Sequence, residues 1–493
     1  KALRQRFSRM KKMYKMMAFA AGAVFTLAAE AQPKVTGSAS ADSTAETKAS
    51  SVVEETRAGE HFLRAGMLAT TNYYQDQVLK SGLVNGNYRP FASYSYNDKY
   101  TVTVRGNLAL KYYPEKPAGV EKQTSAVGIL EITSFEGNFG KSSVTAGRSF
   151  YQTEQGILFA NFADGVAYNG SYSFGKVKAM GLYSADYGKS ACSININGCG
   201  GDPNPFNTIP GLQPDASVTG SGQRLFATLE YTTRAFDFGP LNVTSMVYGV
   251  YSKDFIKESP SVVTRYEYNP YYAGVGFLGY IINAKLQYRV DGIYQGGESY
   301  NLSANGESLQ NKIMAGALIS RMNYVLPVLT TTDTQVSAEY TVASGDADAS
   351  RAGTASQSNT AGSYTAFQTF GAYSGGLALK PRLTNMQIFR GGFELRPLKM
   401  FFWARNIGLS VKYSVYRKVV ATGGISDGAA TEASTDIGMA GDAGINFAAR
   451  SDLQFFYGFG IFKPGDAYPV LASDGSDGRA LRQAHIVSLT LVF

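Results

Sequence analysis

The sequence predicts an all-β fold, a transmembrane antiparallel β-barrel of about eighteen strands, on three observations. The chain ends with Val487, Leu489, Leu491 and Phe493 separated by Ser488, Thr490 and Val492, so one strand carries a mostly apolar face and a partly polar one. Segments of this kind recur from His61 onward, and the links between them alternate short and long. A barrel with tight turns at one rim and long loops at the other has that pattern, whereas a soluble sandwich has no reason to keep it. The third observation is an export signal at the other end of the chain.

Lys1 to Met17 hold seven basic residues and no acidic one, Met16 to Ala29 are apolar, and Ala29-Glu30-Ala31 forms a small-x-small cleavage site. The apolar run is shorter than the roughly 20 residues a spanning helix needs. Residues 1–31 therefore read as a signal peptide, with translation expected to start at Met10 or Met13 and the mature chain near Gln32. Residues 32–60 are rich in Ser, Ala, Thr and Glu and read as a disordered periplasmic tether. Residues 61–493 form the barrel.

The net charge of +8 comes mostly from the signal, since the chain without residues 1–31 has 39 basic against 37 acidic residues. No basic run survives there, and nucleic acid is not an expected partner. With 54 Gly, 33 Tyr and one Trp the mean hydropathy is −0.14. No stretch after residue 31 is apolar for 18 residues, which excludes a helical membrane protein. Only alternate barrel residues face lipid, so a low mean hydropathy is what such a fold has.

Clear strands lie over 100–112 (Val102, Val104, Leu108 and Tyr112 on one face), 240–252 (Val243, Val247, Tyr251), 284–291, 334–342 and 407–417. Segments 443–449 and 453–462 share the tight link Arg450-Ser451-Asp452. Short links are expected at 97–99, 137–141, 174–176, 237–240, 280–283, 327–333, 397–405 and 450–452. Long ones are expected at 75–87, 113–123, 152–163, 188–222, 254–263, 297–310, 344–383, 418–434 and 463–479. An even strand count puts both termini at the short-turn rim, which is the periplasmic one, and leaves the long loops extracellular. Loops 188–222 and 344–383 either fold inward as a constriction or form exposed surface.

Charged side chains must face the lumen, because on the lipid side each costs about 2–4 kcal/mol at mid-depth. Positions out of phase with the apolar faces give a basic set: Arg64, Arg105, Lys111, Arg224, Lys285, Arg289, Arg390, Arg396, Lys412 and Arg482, with Arg148 and Lys178 of ambiguous phase. The acids on that face are fewer: Glu131, Glu230, Asp291, Glu339 and Glu394. Excess guanidinium in a narrow wall concentrates anions. The alternative is a structural network, with Arg289 on Asp291 and Arg390 or Arg396 on Glu394. Cys192 and Cys199 in a Gly-, Asn- and Pro-rich loop suit a disulfide in an oxidising compartment, free thiols being the other possibility. No metal or cofactor is expected. Asp346 and Asp348 lack a calcium-loop spacing and read as solvated loop acids. His485 and Ser488 have opposite parity, so no nucleophile and base are paired and no enzyme is expected.

Ala338-Glu339-Tyr340-Thr341-Val342-Ala343-Ser344-Gly345-Asp346 resembles a strand running into the Ser-Gly-Asp loop of the alginate-export family of outer-membrane barrels. Gly391-Gly392-Phe393-Glu394-Leu395-Arg396-Pro397, Asp442 to Phe447, and Gly458 to Gly465 follow in that family's order, and Ala146-Gly147-Arg148-Ser149 is similar to its Gly-Arg-Gln segment, with Ser149 where Gln is usual. The resemblance implies a monomeric, eighteen-stranded barrel whose Arg- and Lys-lined lumen passes an anionic uronate polymer, with Arg148, Arg390 and Arg396 as carried-over lumen residues.

The expectation is thus an outer-membrane channel for passive diffusion of hydrophilic, preferentially anionic solutes. Export of an anionic polysaccharide is a second reading and a surface adhesin or receptor a third. Expected partners are the bilayer with lipopolysaccharide or another outer-leaflet lipid, the barrel-assembly machinery through Phe493, and an anionic small solute or polysaccharide.

Overall fold

The structure, a computed structural model, describes residues 56–58, 61–76, 82–97, 99–113, 124–184, 224–255, 268–281, 285–302, 308–326, 333–349, 362–371, 373–401, 404–448, 452–471 and 477–492. Among them, eighteen barrel strands run in chain order. They are β1 (His61–Asp76), β2 (Gly82–Tyr96), β3 (Tyr100–Tyr112), β4 (Thr124–Phe139), β5 (Ser142–Gln152) and β6 (Ala160–Tyr172). Next come β7 (Gly175–Ser184), β8 (Arg224–Thr233), β9 (Leu241–Asp254), β10 (Tyr268–Ile281), β11 (Leu286–Leu302) and β12 (Ser308–Val325). The last six are β13 (Asp333–Ala343), β14 (Met386–Arg396), β15 (Ile407–Arg417), β16 (Asp436–Ala448), β17 (Leu453–Pro464) and β18 (Arg482–Val492). Phe236–Phe238 continues β8 along β9, and Thr56–Ala58 pairs with Leu63 to His61. That last pairing places three residues of the segment expected to be a disordered tether in an ordered strand.

Each strand pairs antiparallel with its neighbours in sequence, and β1 also pairs with β18 from Leu68↔Val492 to Asp76↔Ala484. The sheet is therefore a closed cylinder. Closure is what lets strands cross hydrocarbon, since the first and last strands satisfy each other's backbone groups. The C-terminal alternation is part of it: Leu489 lies in register between Thr71 and the outward-facing Phe455.

The apolar faces point outward. On β3, Val102, Val104 and Leu108 are exposed, with Tyr100 and Tyr112 exposed at its two ends. These tyrosines are twelve residues apart, about 40 Å along a strand, or about 30 Å along the membrane normal at a tilt near 45°. Val247 and Tyr251 on β9, Phe389 and Phe393 on β14, and Val411 and Tyr413 on β15 continue the belt. Near the short turns, Tyr94, Tyr96, Phe139, Phe174, Phe238 and Tyr280 are exposed as an aromatic girdle.

All eight expected short links fall between strands, and both ends of the barrel lie at their rim. Two expected long links are shorter, because β2 begins at Gly82 and β11 and β12 extend to Leu302 and from Ser308. Gly and polar residues there broke the apolar alternation without breaking the hydrogen-bonded ladder. The buried core lies inside the barrel at the long-loop end. Ile157, Leu158, Phe159, Tyr364, Phe367 and Phe370 from loops pack on Phe226, Tyr268, Tyr272 and Ile313 from the wall.

Candidate functional site

The described residues of the β13–β14 connection, 344–349, 362–371 and 373–385, fold into the barrel, which for them selects the constriction among the two expectations for this loop. Loop 188–222, with Cys192 and Cys199, and Phe493 lie outside the described residues. Ser344 is the foot of the loop. Its carbonyl accepts from Phe367 N and Asn385 N (both 3.0 Å), and its hydroxyl donates to Thr365 O (2.7 Å). Asp346 is buried, accepting from Thr365 N (2.8 Å) and Asp348 N (3.2 Å). It is a loop anchor, not the solvated acid expected, and burial followed by its hydrogen bond with Asp348 holds its carboxyl above the usual range. Asn385, at φ +48°, donates its amide to Val420 O (3.0 Å) and Gly423 O (2.9 Å). A Cβ on Gly345 would overlap that amide. Gly345→Ala is therefore expected to destabilise the barrel by about 1–3 kcal/mol, seen as a lower unfolding temperature on a heat-modifiability gel. Gly391→Ala, with open space around its Cβ, is expected to leave it unchanged.

The near half of the loop is packed into the wall. Tyr364 N donates to Lys312 O (2.7 Å) and Met314 N to Tyr364 O (2.9 Å), which gives the free edge of β12 a partner. Gln368 N donates to Gln295 Oε1 (3.0 Å), and Tyr272 donates its hydroxyl to Gln368 O (2.7 Å). Phe370 N reaches Leu158 O (3.1 Å), and the Phe370 ring lies 5.0 Å from Phe226. The far half is held by polar contacts. Arg390 donates to Ser374 O (2.9 Å) and to Gly375 O, Tyr416 donates to Gly375 O (2.6 Å), and Leu377 N donates to Asp442 Oδ1 (3.1 Å). The Lys380 ammonium then sits 4.2 Å from the Tyr74 ring on β1. The loop thus reaches from β12 to β1, across the interior.

The inward charges form clusters. Glu131 pairs with both Arg89 (3.2 Å) and Arg105 (2.8 Å). A β-bulge between Arg105 and Gly106 places Glu131 there. Glu339 pairs with Arg321 (2.9 Å) and Arg390 (3.4 Å), and accepts from the Tyr373 hydroxyl of the loop. Arg289 pairs with Asp291 at 2.9 Å, as the two-residue spacing suggested. Asp291 is fully buried, so Arg289→Ala is expected to cost about 3–5 kcal/mol, measured as loss of the folded band after mild heating. Five guanidiniums thus share three carboxylates. Arg89, Arg105, Arg289 and Arg321 keep 23–38% of their side-chain surface exposed, so solvent reaches them from inside the barrel.

Other predicted residues are placed differently. Arg224 is buried, donating to Tyr268 O (2.8 Å) with its guanidinium 5.2 Å from the Phe370 ring, and so fixes the loop instead of lining the lumen. Glu394 pairs with Lys412 (3.4 Å), not with Arg390 or Arg396. Arg396 pairs with Asp333 (3.7 Å), which Lys399 also reaches (2.5 Å), at the short-turn rim. Lys285 is an exposed turn residue at that rim. Arg148 stands opposite Asp164. Arg482 pairs with Asp427 of the β15–β16 loop (2.6 Å). Arg89 and Arg321 were missed, because their strands start with weak alternation. His485 sits against the Phe459 ring (4.9 Å). Among the described residues, no group of three or more His, Cys, Asp or Glu is arranged to hold a metal.

A closed cylinder with an apolar outer belt, a charged interior and an inward loop defines an outer-membrane channel barrel. The model of the alginate export family matches residues 213–479, just over half of the chain, and the chain belongs to that family. Its fold is similar to solved outer-membrane channels. OccAB1 of Acinetobacter baumannii has 11% identity, with 92% of this chain and 99% of that chain covered, at a TM-score of 0.52. OccK5 (OpdH) of Pseudomonas aeruginosa has 11% identity, with 87% and 98% covered, at 0.51. OccK8 (OprE) of the same organism has 9%, with 87% and 98% covered, at 0.51. No curated protein matches the chain. The protein is a β-barrel of the bacterial outer membrane.

Proposed function

We propose that the protein is a passive channel for small hydrophilic solutes and that it prefers anions. The observation that supports this is the pairing of two arginines with one carboxylate at both Glu131 and Glu339, on an inner face that solvent reaches. Each cluster keeps one uncancelled positive charge inside a low-dielectric wall, where it favours anions over cations. On this reading the short turns and both termini are periplasmic and the long loops extracellular. Phe493 serves as the assembly signal, and the barrel works as a monomer. The test is planar-bilayer conductance under a salt gradient: a reversal potential on the anion side supports the reading, and one on the cation side overturns it.

The family's description favours export of an anionic polysaccharide as a second reading. It requires a uronate oligomer added on one side to block the current at micromolar concentration. Without such block, the loop seated across the interior argues for small solutes.

A further inference from the structure

We propose that the barrel wall has a lateral opening between β4 and β5 that takes a long-chain carboxylate, its head among the Arg105 cluster and its hydrocarbon tail toward the bilayer. β4 is paired with β3 along its whole length, from Tyr100↔Gly137 to Tyr112↔Thr124. With β5 it pairs only from Phe139↔Ser142 to Thr133↔Arg148. β5 continues to Gln152, in register with β6 alone. Past Thr133 and Arg148 the two strands part. β12 also loses its β13 partner beyond Ala317↔Ala343, but there Tyr364 bonds to its edge. Among the described residues, no main-chain segment does this for β4.

The parting falls beside a glycine. Gly147 has φ +106°, and a Cβ there would overlap Thr133 O. An L side chain is strained at such a φ, so a glycine lets the strand turn where it touches β4. Beyond it the β5–β6 hairpin swings inward. Tyr151, Asn161 and Ala163 are buried, Tyr151 and Ala163 within the loop core, and the Tyr151 hydroxyl donates to Gly147 O (2.8 Å). Phe162 shares parity with the outward-facing Val166. Its ring nevertheless lies 6.0 Å from the guanidinium of Arg105, an inward residue three strands away. An outward-parity ring meets an inward cation only if the hairpin sits inside the line of β3 and β4.

The slot so formed has Arg89, Arg105 and Glu131 on one side and the Phe150–Phe162 pair (centroids 5.3 Å apart) on the other. Outside it, Leu108 and Leu130 are exposed at membrane level, and a Cβ on Gly128 would meet nothing within 4 Å. Two guanidiniums against one carboxylate ask for an anion, and the aromatic pair opening to lipid asks for a tail. Strand edges lacking sheet partners need polar groups or water beside them, which a plain hydrocarbon does not bring and a carboxylate does. A carboxylate seated here cancels the excess charge of the Glu131 cluster, so the ion preference of the lumen then rests on the Glu339 cluster.

The test uses the full chain in phospholipid nanodiscs with Cys192→Ser and Cys199→Ser. Ile129→Cys with Gln152→Cys are the positions that continuation of the β4–β5 register would bring together. Asn138→Cys with Ser143→Cys face each other in the paired half. A disulfide needs Cα atoms about 4.4–6.8 Å apart. Mild oxidation is expected to cross-link the second pair and not the first, and equal cross-linking of both overturns the opening. A photoactivatable diazirine palmitate is expected to label peptides 128–132 and 148–162 above the rest of the belt. Arg105→Gln is expected to cut that labelling at least five-fold and Arg105→Lys to retain it, each variant being checked for a heat-modifiable folded band. Even labelling around the belt, or no effect of Arg105→Gln, overturns the site. Equal labelling by a diazirine phosphatidylcholine makes the occupant a membrane lipid and overturns the carboxylate assignment.

Discussion

Arg390→Ala is expected to raise single-channel conductance about two-fold and to make the open level noisy. The guanidinium holds the far half of the inward loop through Ser374 O and Gly375 O, and is itself oriented by Ser414 Oγ (3.0 Å) and Glu339. Hydrogen bonds from a charged donor contribute about 1.5–3 kcal/mol each, so their loss removes more than the remaining contacts of Tyr416 and Leu377 supply. The near half is different. Tyr364, Phe367 and Phe370 are fully buried, so that half stays seated and the barrel stays folded. Recordings from the purified variant in a planar bilayer check this. A conductance equal to that of the parent protein would show that the far half does not limit the path.

The second large effect is on selectivity, and it has opposite signs at the two ends of one ion pair. Arg321→Gln is expected to lower the anion-to-cation permeability ratio, and Glu339→Gln to raise it. A unit charge about 8 Å from a permeating ion contributes about 0.5 kcal/mol even in a medium as polar as water, with opposite signs for an anion and a cation, so the ratio changes by about 1 kcal/mol, a factor of about five. Both residues sit in the part-exposed cluster with Arg390. Reversal potentials for the two variants under the same gradient should move in opposite directions. The same direction for both would mean the pair acts by shape and not by charge.

Much of the barrel was legible because its rules are local. Parity along β3 or β15 follows from the backbone period, and a tight turn such as the one at Asn97 (φ +52°) is marked by its residues. The charge partners were legible only within a strand. Arg289 and Asp291 are two residues apart, whereas Glu339 with Arg321 and Glu131 with Arg89 depend on register and on a bulge between different strands, which no single segment encodes. The ambiguous phase of Arg148 had a physical origin. The residue lies just past Gly147, where the strand leaves the line of the wall, so inside and outside exchange meaning along one element. Arg224 and Arg390 were expected to line the lumen, but in the structure they hold the inward loop and the wall beside it, and that depends on where the loop after Ala343 goes. Its Ser344-Gly345-Asp346 start was recognisable as a motif, and the structure gives it a reason: the three residues tie the departing and returning ends of the loop together.

The contact of Lys380 with Tyr74 also bears on how the molecule is built. Tyr74 belongs to the first strand, which meets its last neighbour only when the cylinder shuts. The far side of the crossing segment therefore has no landing place on a half-made sheet. The last anchor of the crossing segment can be made only once the seam between the first and last strands has been sewn.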